Sequence, residues 1–152
     1  MSPDAKWVAS GCSDGSLKIW DIAANKVLAN FYFPSQEVTC LQFNPRTLTL
    51  ANGSSDRTVK FWDLETMTNI TKTNCDSARI LNIAFSRDNP EHLFACSQDN
   101  IRLWNIESNQ LLDCLATPPR PVADFEINYD SKFIFLATMQ ANNLAIYYQN
   151  FE

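Results

Sequence analysis

Trp20, Trp62 and Trp104 stand 42 residues apart, and each brings its neighbours with it: Leu17-Lys18-Ile19-Trp20-Asp21-Ile22, Val59-Lys60-Phe61-Trp62-Asp63-Leu64 and Ile101-Arg102-Leu103-Trp104-Asn105-Ile106. A fixed period of this length describes an array of one structural unit, because such a unit cannot bury its apolar face alone and must stack on its neighbours. Val38, Ile80 and Val122 recur at the same spacing, as do Phe43, Phe85 and Ile127, so that three alternating runs (38–43, 80–85 and 122–127) open the units. Alternation at period two marks half-buried strands rather than helices.

Each unit reads as four short strands: the alternating run, a second run such as Leu48 to Gly53, the Trp run, and a weaker fourth such as Val27 to Phe33, Asn69 to Lys72 or Leu111 to Leu115. The turns Ser13-Asp14-Gly15-Ser16, Ser55-Asp56-Arg57-Thr58 and Gln98-Asp99-Asn100 have hairpin chemistry. Four antiparallel strands every forty-odd residues describe a blade of a β-propeller. The expected fold is all-β, with about four blades over approximately 1–33, 37–72, 79–115 and 122–149.

The Trp-Asp endings Trp20-Asp21 and Trp62-Asp63, with Trp104-Asn105 and Tyr147-Tyr148 as weaker forms, resemble the WD40 repeat family. The Gly-His pair that precedes the first strand in that family is replaced by Phe33-Pro34, Cys75-Asp76 and Thr117-Pro118. Its buried Asp-His-Ser-Trp chain therefore cannot form fully, and Asp14, Asp56 and Asp99 are expected to find backbone or water partners. Counting back from each Trp, Met1 takes the place of the last residue of an innermost strand, and too little chain follows Tyr148 for an outermost one. The first and last blades are expected to be incomplete, as in a segment of a longer, partial WD40 propeller with open sheet edges.

Composition narrows the function. The 152 residues are 45% hydrophobic and 19% charged with a formal net charge of -5, which predicts a packed core and disfavours nucleic acid as a partner. The start carries no secretory pattern, and no apolar run approaches the roughly 20 residues of a spanning helix. The expected setting is intracellular and soluble, with no membrane partner. Cys12, Cys40, Cys75, Cys96 and Cys114 form no C-x-x-C pair, which fits reduced, structural thiols without a metal site. His92, the single histidine, falls in the turn-rich Asn89-Pro90-Glu91-His92 and reads as a surface-loop residue. No phosphate-cradling glycine loop is present. No catalytic residue and no cofactor are expected, and the chain reads as a non-enzyme.

Lys18, Lys60 and Arg102 share the period two residues before each Trp and are expected to be solvated or to pack by their stems. Cys12, Ser54 and Cys96 read as small residues packed beneath the turns. Arg57, in the turn after Asp56, and Arg79 and Arg120, near the starts of innermost strands, together with Gln36 and Glu37 at the matching place of another blade, form a candidate partner-binding rim. In the WD40 family that rim is the usual docking face for protein partners.

A narrower resemblance lies in the run Asn52-Gly53-Ser54-Ser55-Asp56-Arg57-Thr58-Val59-Lys60-Phe61-Trp62-Asp63-Leu64-Glu65, with Ser2-Pro3-Asp4-Ala5-Lys6-Trp7-Val8-Ala9-Ser10, Cys96-Ser97-Gln98-Asp99 and Val122-Ala123-Asp124 in the same order. These segments are similar to the WD40 regulatory, non-catalytic subunits of katanin. The resemblance implies a subunit that targets and tunes a microtubule-severing AAA ATPase at centrosomes, spindle poles or basal bodies. Microtubules and the katanin catalytic subunit would then be partners of the full-length protein, within the cytoplasmic cytoskeleton. The alternative is a generic WD40 scaffold, such as a centriolar protein or a ubiquitin-ligase substrate receptor.

Overall fold

The computed structural model describes residues 1–73, 76, 78–116, 122–127, 133–140 and 143–150; Cys75 and Arg120 lie outside them. Strands β1 (Trp7–Gly11), β2 (Ser16–Asp21) and β3 (Lys26–Tyr32) form the first antiparallel sheet. The second holds β4 (Val38–Phe43), β5 (Thr49–Ser54), β6 (Val59–Asp63) and β7 (Thr68–Lys72). The third holds β8 (Asn82–Phe85), β9 (His92–Cys96), β10 (Asn100–Asn105) and β11 (Gln110–Ala116). The fourth holds β12 (Val122–Ile127), β13 (Phe133–Gln140) and β14 (Asn143–Asn150). Within each sheet the strands follow chain order, so the chain is an all-β, partial β-propeller, with sheets of three, four, four and three strands among the described residues.

Sheet stacking follows from alternation. Leu17 and Ile19 on β2 face Leu50, Trp62 and Leu64 of the second sheet, while Ala51, Val59 and Phe61 on its other side face Ile83, Phe85, Leu93, Ala95 and Trp104. Phe94, Cys96 and Ile101 in turn meet Val122, Phe125, Ile127 and Ile134 of the fourth sheet. The second and third sheets are thus buried on both faces, and Trp62 and Trp104 point toward the preceding sheet, while Trp20 of the first sheet is exposed. A register shift falls at Ile19/Trp20, Phe61/Trp62 and Leu103/Trp104, a bulge repeated at every Trp of the three. A bulge sharpens local twist, and at Trp62 and Trp104 the indole that follows it lies in the inter-sheet layer.

The turns explain the glycines. Gly15 adopts φ 87, and an added Cβ would strike the Phe33 carbonyl oxygen. Arg57 takes the equivalent left-handed place at φ 71, at a steric cost that glycine avoids. Gly53 is needed for space instead, since a Cβ there would lie 2.5 Å from Cys40 Sγ and 2.6 Å from Ile80 Cγ2.

Several expectations need correction. The third sheet keeps the 42-residue period only by compensation: 86–92 separate Phe85 from its partner Leu93, one residue more than the 44–49 between Phe43 and Leu50. The following turn is one residue shorter, because Cys96 pairs Ile101 across 97–100 whereas Gly53 pairs Val59 across 54–58. His92 is consequently the first residue of β9, paired with Asn105, rather than a loop residue. Asp99 does not reproduce the role of Asp56; it is exposed at a shortened turn that Ser97 closes by donating to Asn100 O and Oδ1, each at 3.3 Å. The run expected from Ile80 becomes strand only at Asn82. Ser54 and Cys96 are buried beneath their turns, but Cys12 is exposed.

Candidate docking rim

One rim of the propeller segment is made by the β1–β2, β5–β6 and β9–β10 turns and by the linkers that carry the chain from one sheet to the next. Backbone bonds tie the first two linkers to the turn of the sheet before each. Val38 N donates to Cys12 O at 3.2 Å, Ile80 N to Ser54 O at 3.2 Å, and Asp76 N to Arg57 O at 2.7 Å. Ser55 pins Glu37 twice, through its N–H to Glu37 O at 3.1 Å and its Oγ accepting from Glu37 N at 2.9 Å. Satisfied backbone groups hold the rim in one shape, so any side chains it displays are preorganised.

The proposed rim residues have separate fates. Arg79 Nη2 lies 3.2 Å from Glu37 Oε2, both half-exposed, so these two charges face each other across adjacent sheets. A pair of this exposure contributes about 0–1 kcal/mol. Gln36 Oε1 accepts from Lys60 Nζ at 3.3 Å. Arg57 is exposed, and among the described residues it forms no ion pair. Arg120 lies outside the described residues. The structure therefore brings Glu37 and Arg79 together, ties Gln36 to the interior, and leaves Arg57 as the exposed cation of the turn.

The periodic cations are expected to be solvated or to pack by their stems; two of them carry their charged ends inward as well, into ion pairs. Lys60 Nζ sits 2.7 Å from Asp56 Oδ2, 3.3 Å from Thr58 Oγ1 and 5.2 Å over the Phe33 ring. Arg102 Nε stands 3.5 Å from Asp76 Oδ2, with the aspartate side chain almost wholly buried. Lys18 alone lies against its own Trp, 6.0 Å from the Trp20 ring centre. A buried cation is tolerated only when paired, and the rim turns and linkers supply the carboxylates. Burial would raise the Asp56 carboxyl, but hydrogen bonds from Lys60 and Thr58 and the Lys60 charge outweigh it and hold the group below the usual carboxylate range. Asp14, exposed, is also held low, by hydrogen bonds from Ser16. Asp56 accepts from the backbone N–H of Thr58 at 3.1 Å, the kind of partner expected, and has the Thr58 and Lys60 side chains as partners besides.

The Trp side chains are served at a matched position. Trp62 Nε1 donates to Asn52 Oδ1 at 2.8 Å, and Trp20 Nε1 to Ser10 Oγ at 2.9 Å. In the third sheet Ala95 fills that register position opposite Arg102, as Asn52 lies opposite Lys60, and offers Trp104 no acceptor. Sequence reasoning missed the Lys60, Asp56, Gln36 and Phe33 cluster; its signal was a lysine at an alternating position otherwise apolar on both sides.

Among the described residues nothing assembles acid, base and nucleophile. His92 Nε2 meets Asn89 Nδ2 at 3.2 Å, and among the described residues no cluster of three or more His, Cys, Asp or Glu could hold a metal ion. Burial pushes the Cys96 thiol up to about 12, with the Asp76 charge adding to it, and Cys40 up to about 11, which keeps both thiols protonated and unreactive.

No curated protein matches the chain. A family model described as nucleolar protein 10-like, N-terminal domain, a β-propeller, matches residues 1–150. Nothing in that match points to a katanin regulator. With nearly its whole length covered, the chain belongs to the nucleolar protein 10-like family of N-terminal β-propeller domains.

Proposed function

We propose that the chain is a non-catalytic protein-docking scaffold. The observation that carries this reading is the rim itself, in which inter-sheet backbone bonds at Cys12, Ser54 and Arg57 fix the linkers while Glu37, Arg57 and Arg79 remain on the surface. A rigid frame that displays charged side chains without a reactive cluster suits recognition rather than chemistry.

Two finer readings give the scaffold a place. The ordered motifs from Ser2 to Asp124, above all Asn52 to Glu65, support a regulatory role in microtubule severing, with the full-length protein carrying an AAA ATPase to centrosomes, spindle poles or basal bodies. The family description supports a nucleolar setting instead. Imaging the tagged full-length protein in its own cells separates them. Centrosomal or basal-body signal, with co-sedimentation on microtubules and co-purification of a severing ATPase, is the outcome expected of the first. Nucleolar signal without microtubule co-sedimentation rejects it in favour of the second. Replacing Arg57 and Arg79 by Glu should weaken capture of the authentic partner several-fold, and unchanged capture would remove the rim from the interface.

A further inference from the structure

The rim opposite the charged turns has a different surface. There the β4–β5 and β8–β9 loops and the end of β10 enclose a cleft of about 300 Å³ between the second and third sheets. Phe61, almost fully buried, closes its depth; Ile70, Pro90 and Ile106 form apolar walls; Asn44 and three threonines add neutral polar lining, and Glu91 and Glu107, both exposed, are its charged residues. Ile70 is 56% exposed, so an apolar wall is open to any molecule that enters. An apolar cavity of about 150 Å³ is enough to take a benzene ring, and this cleft has room for a large aliphatic or aromatic side chain.

The cleft is preformed. Asn44, fully buried, donates from Nδ2 to Pro90 O at 2.8 Å and accepts at Oδ1 from Arg46 N at 2.9 Å and Thr47 N at 3.1 Å. One side chain thus clamps the loop of the second sheet to that of the third. Glu91 is held by Asn105 Nδ2, which donates to its Oε2 at 3.3 Å. Among the described residues lining the cleft there is no lysine or arginine. The cation of the nearby loop, Arg46, is turned elsewhere, donating from Nη2 to Arg87 O at 2.7 Å.

From this combination we infer that the cleft is a docking site for an extended segment of a partner protein in which one aliphatic or aromatic residue is flanked by Lys or Arg. The anchor fills the apolar slot against Ile70, Pro90 and Ile106, and the flanking cations meet Glu91 and Glu107. Charge complementarity selects this occupant: an acidic segment would bring like charge to two carboxylates that, among the described residues, form no ion pair, which is strongly disfavoured at an interface. The site deepens the scaffold reading and rests on it, and it is distinct from the rim of Glu37, Arg57 and Arg79.

The test is an amide NMR titration of the full chain with the synthetic peptide Gly-Ser-Lys-Leu-Lys-Ser-Gly, beside one peptide with Glu for both Lys and another with Ala for Leu. The expected result is saturable shifts at Ile70, Glu91, Ile106 and Glu107, with a Kd of about 0.1–1 mM as suits a single anchor. Loss of the Leu side chain should weaken binding about tenfold or more, and the Glu peptide should give no saturable shift. Ile70→Ser should weaken the Lys-Leu-Lys peptide about five- to tenfold. Glu107→Lys, an exposed change that leaves the fold intact, should weaken it about two- to fivefold. Equal shifts with the Glu peptide, shifts confined to the Glu37, Arg57 and Arg79 rim, or no shift at any concentration up to about 5 mM would each overturn the assignment. Rim variants that abolish partner capture while the cleft still titrates would leave both readings standing, whereas a silent cleft with rim-dependent capture would sink this one alone.

Discussion

The first and second sheets carry nearly the same sentence, Leu17-Lys18-Ile19-Trp20-Asp21 and Val59-Lys60-Phe61-Trp62-Asp63, and fold it the same way. Both place the Trp after a bulge, and both give its indole N–H an acceptor ten residues upstream, Ser10 Oγ in one and Asn52 Oδ1 in the other. Their energetics differ. Trp62 is 4% exposed, with Phe31 and Phe33 of the first sheet and its linker at ring-centre distances of 4.3 Å and 5.5 Å, whereas Trp20 is 37% exposed. Lys60 is buried against Asp56, Gln36 and Phe33, while Lys18 rests on its own Trp. The motif therefore builds the strand and the hydrogen bond, and the preceding sheet supplies the burial. Among the described residues no sheet packs on the outer face of the first.

The contrast can be broken most forcefully at the indoles. Trp62→Ala should cost about 3–5 kcal/mol, the range for an aromatic truncated in a packed core, because it opens a void between Phe31, Phe33 and Leu50. Trp20→Ala should cost about 1 kcal/mol, since its side chain has solvent on one side already. Urea denaturation of the two variants measures both, and equal losses would mean that Trp20 is covered in solution.

The buried lysine gives the next largest difference. Lys60→Met removes the cation from Asp56 and leaves a partly buried carboxylate without its main partner, an expected loss of about 2 kcal/mol, below the 3–5 of a fully buried broken pair because Asp56 keeps some solvent. Lys18→Met should change stability by less than about 0.5 kcal/mol. The double variant Lys60→Met with Asp56→Asn should recover part of the loss, and denaturation midpoints of the cycle would show whether the pair is coupled.

Trp20, Trp62 and Trp104 made most of the architecture legible, because each fixes a strand and its bulge, and Trp62 and Trp104 fix the facing sheet as well. What stayed illegible depends on partners far away in sequence. Nothing near Lys60 announces that Gln36 and Phe33, 24 and 27 positions earlier, will enclose it. The one-residue exchange between the β8–β9 loop and the β9–β10 turn was hidden for another reason: it leaves the Trp spacing unchanged, so the period gives no sign that His92 has moved into a strand or that Asp99 has lost the place of Asp56. The candidate rim was readable as positions but not as electrostatics, since Arg79 and Glu37 lie 42 residues apart and meet only when adjacent sheets stack. The opposite cleft was not readable at all. It is assembled from Phe61 and Ile70 on one sheet and Pro90 and Ile106 on the next, each unremarkable in its own strand or loop.

A smaller effect probes the indole acceptors. Asn52→Ala strips the acceptor from a buried Trp62 N–H and should cost about 1–3 kcal/mol, as an unsatisfied buried donor does. Ser10→Ala exposes the Trp20 N–H to water, which replaces the lost bond, and should cost less than about 0.5 kcal/mol. The converse change, Ala95→Asn, asks whether the third sheet can accept the bond; Ala95 is fully buried, so overpacking would oppose any gain. Chemical denaturation that found Asn52→Ala as mild as Ser10→Ala would mean that water reaches Trp62.

The least of these differences is a pH dependence. The Asp56 carboxyl is held below its ordinary value near 3.8, so the folded state binds its proton less readily than the unfolded chain. Stability from this group is therefore fully present above about pH 4 to 5 and is lost as pH falls through the lowered folded value. Asp14 has the same sign, but its exposed carboxylate is screened by water and its share is smaller. Denaturation midpoints from pH 6 down to pH 3 should fall less steeply for Asp56→Asn than for the parent chain, while Asp14→Asn should follow the parent closely. If the two variants flattened the curve equally, the burial of the Lys60 and Asp56 pair would contribute nothing beyond the turn that both sheets share. A steeper curve for Asp56→Asn would reverse the sign and mean that the folded carboxyl holds its proton more tightly than the unfolded one.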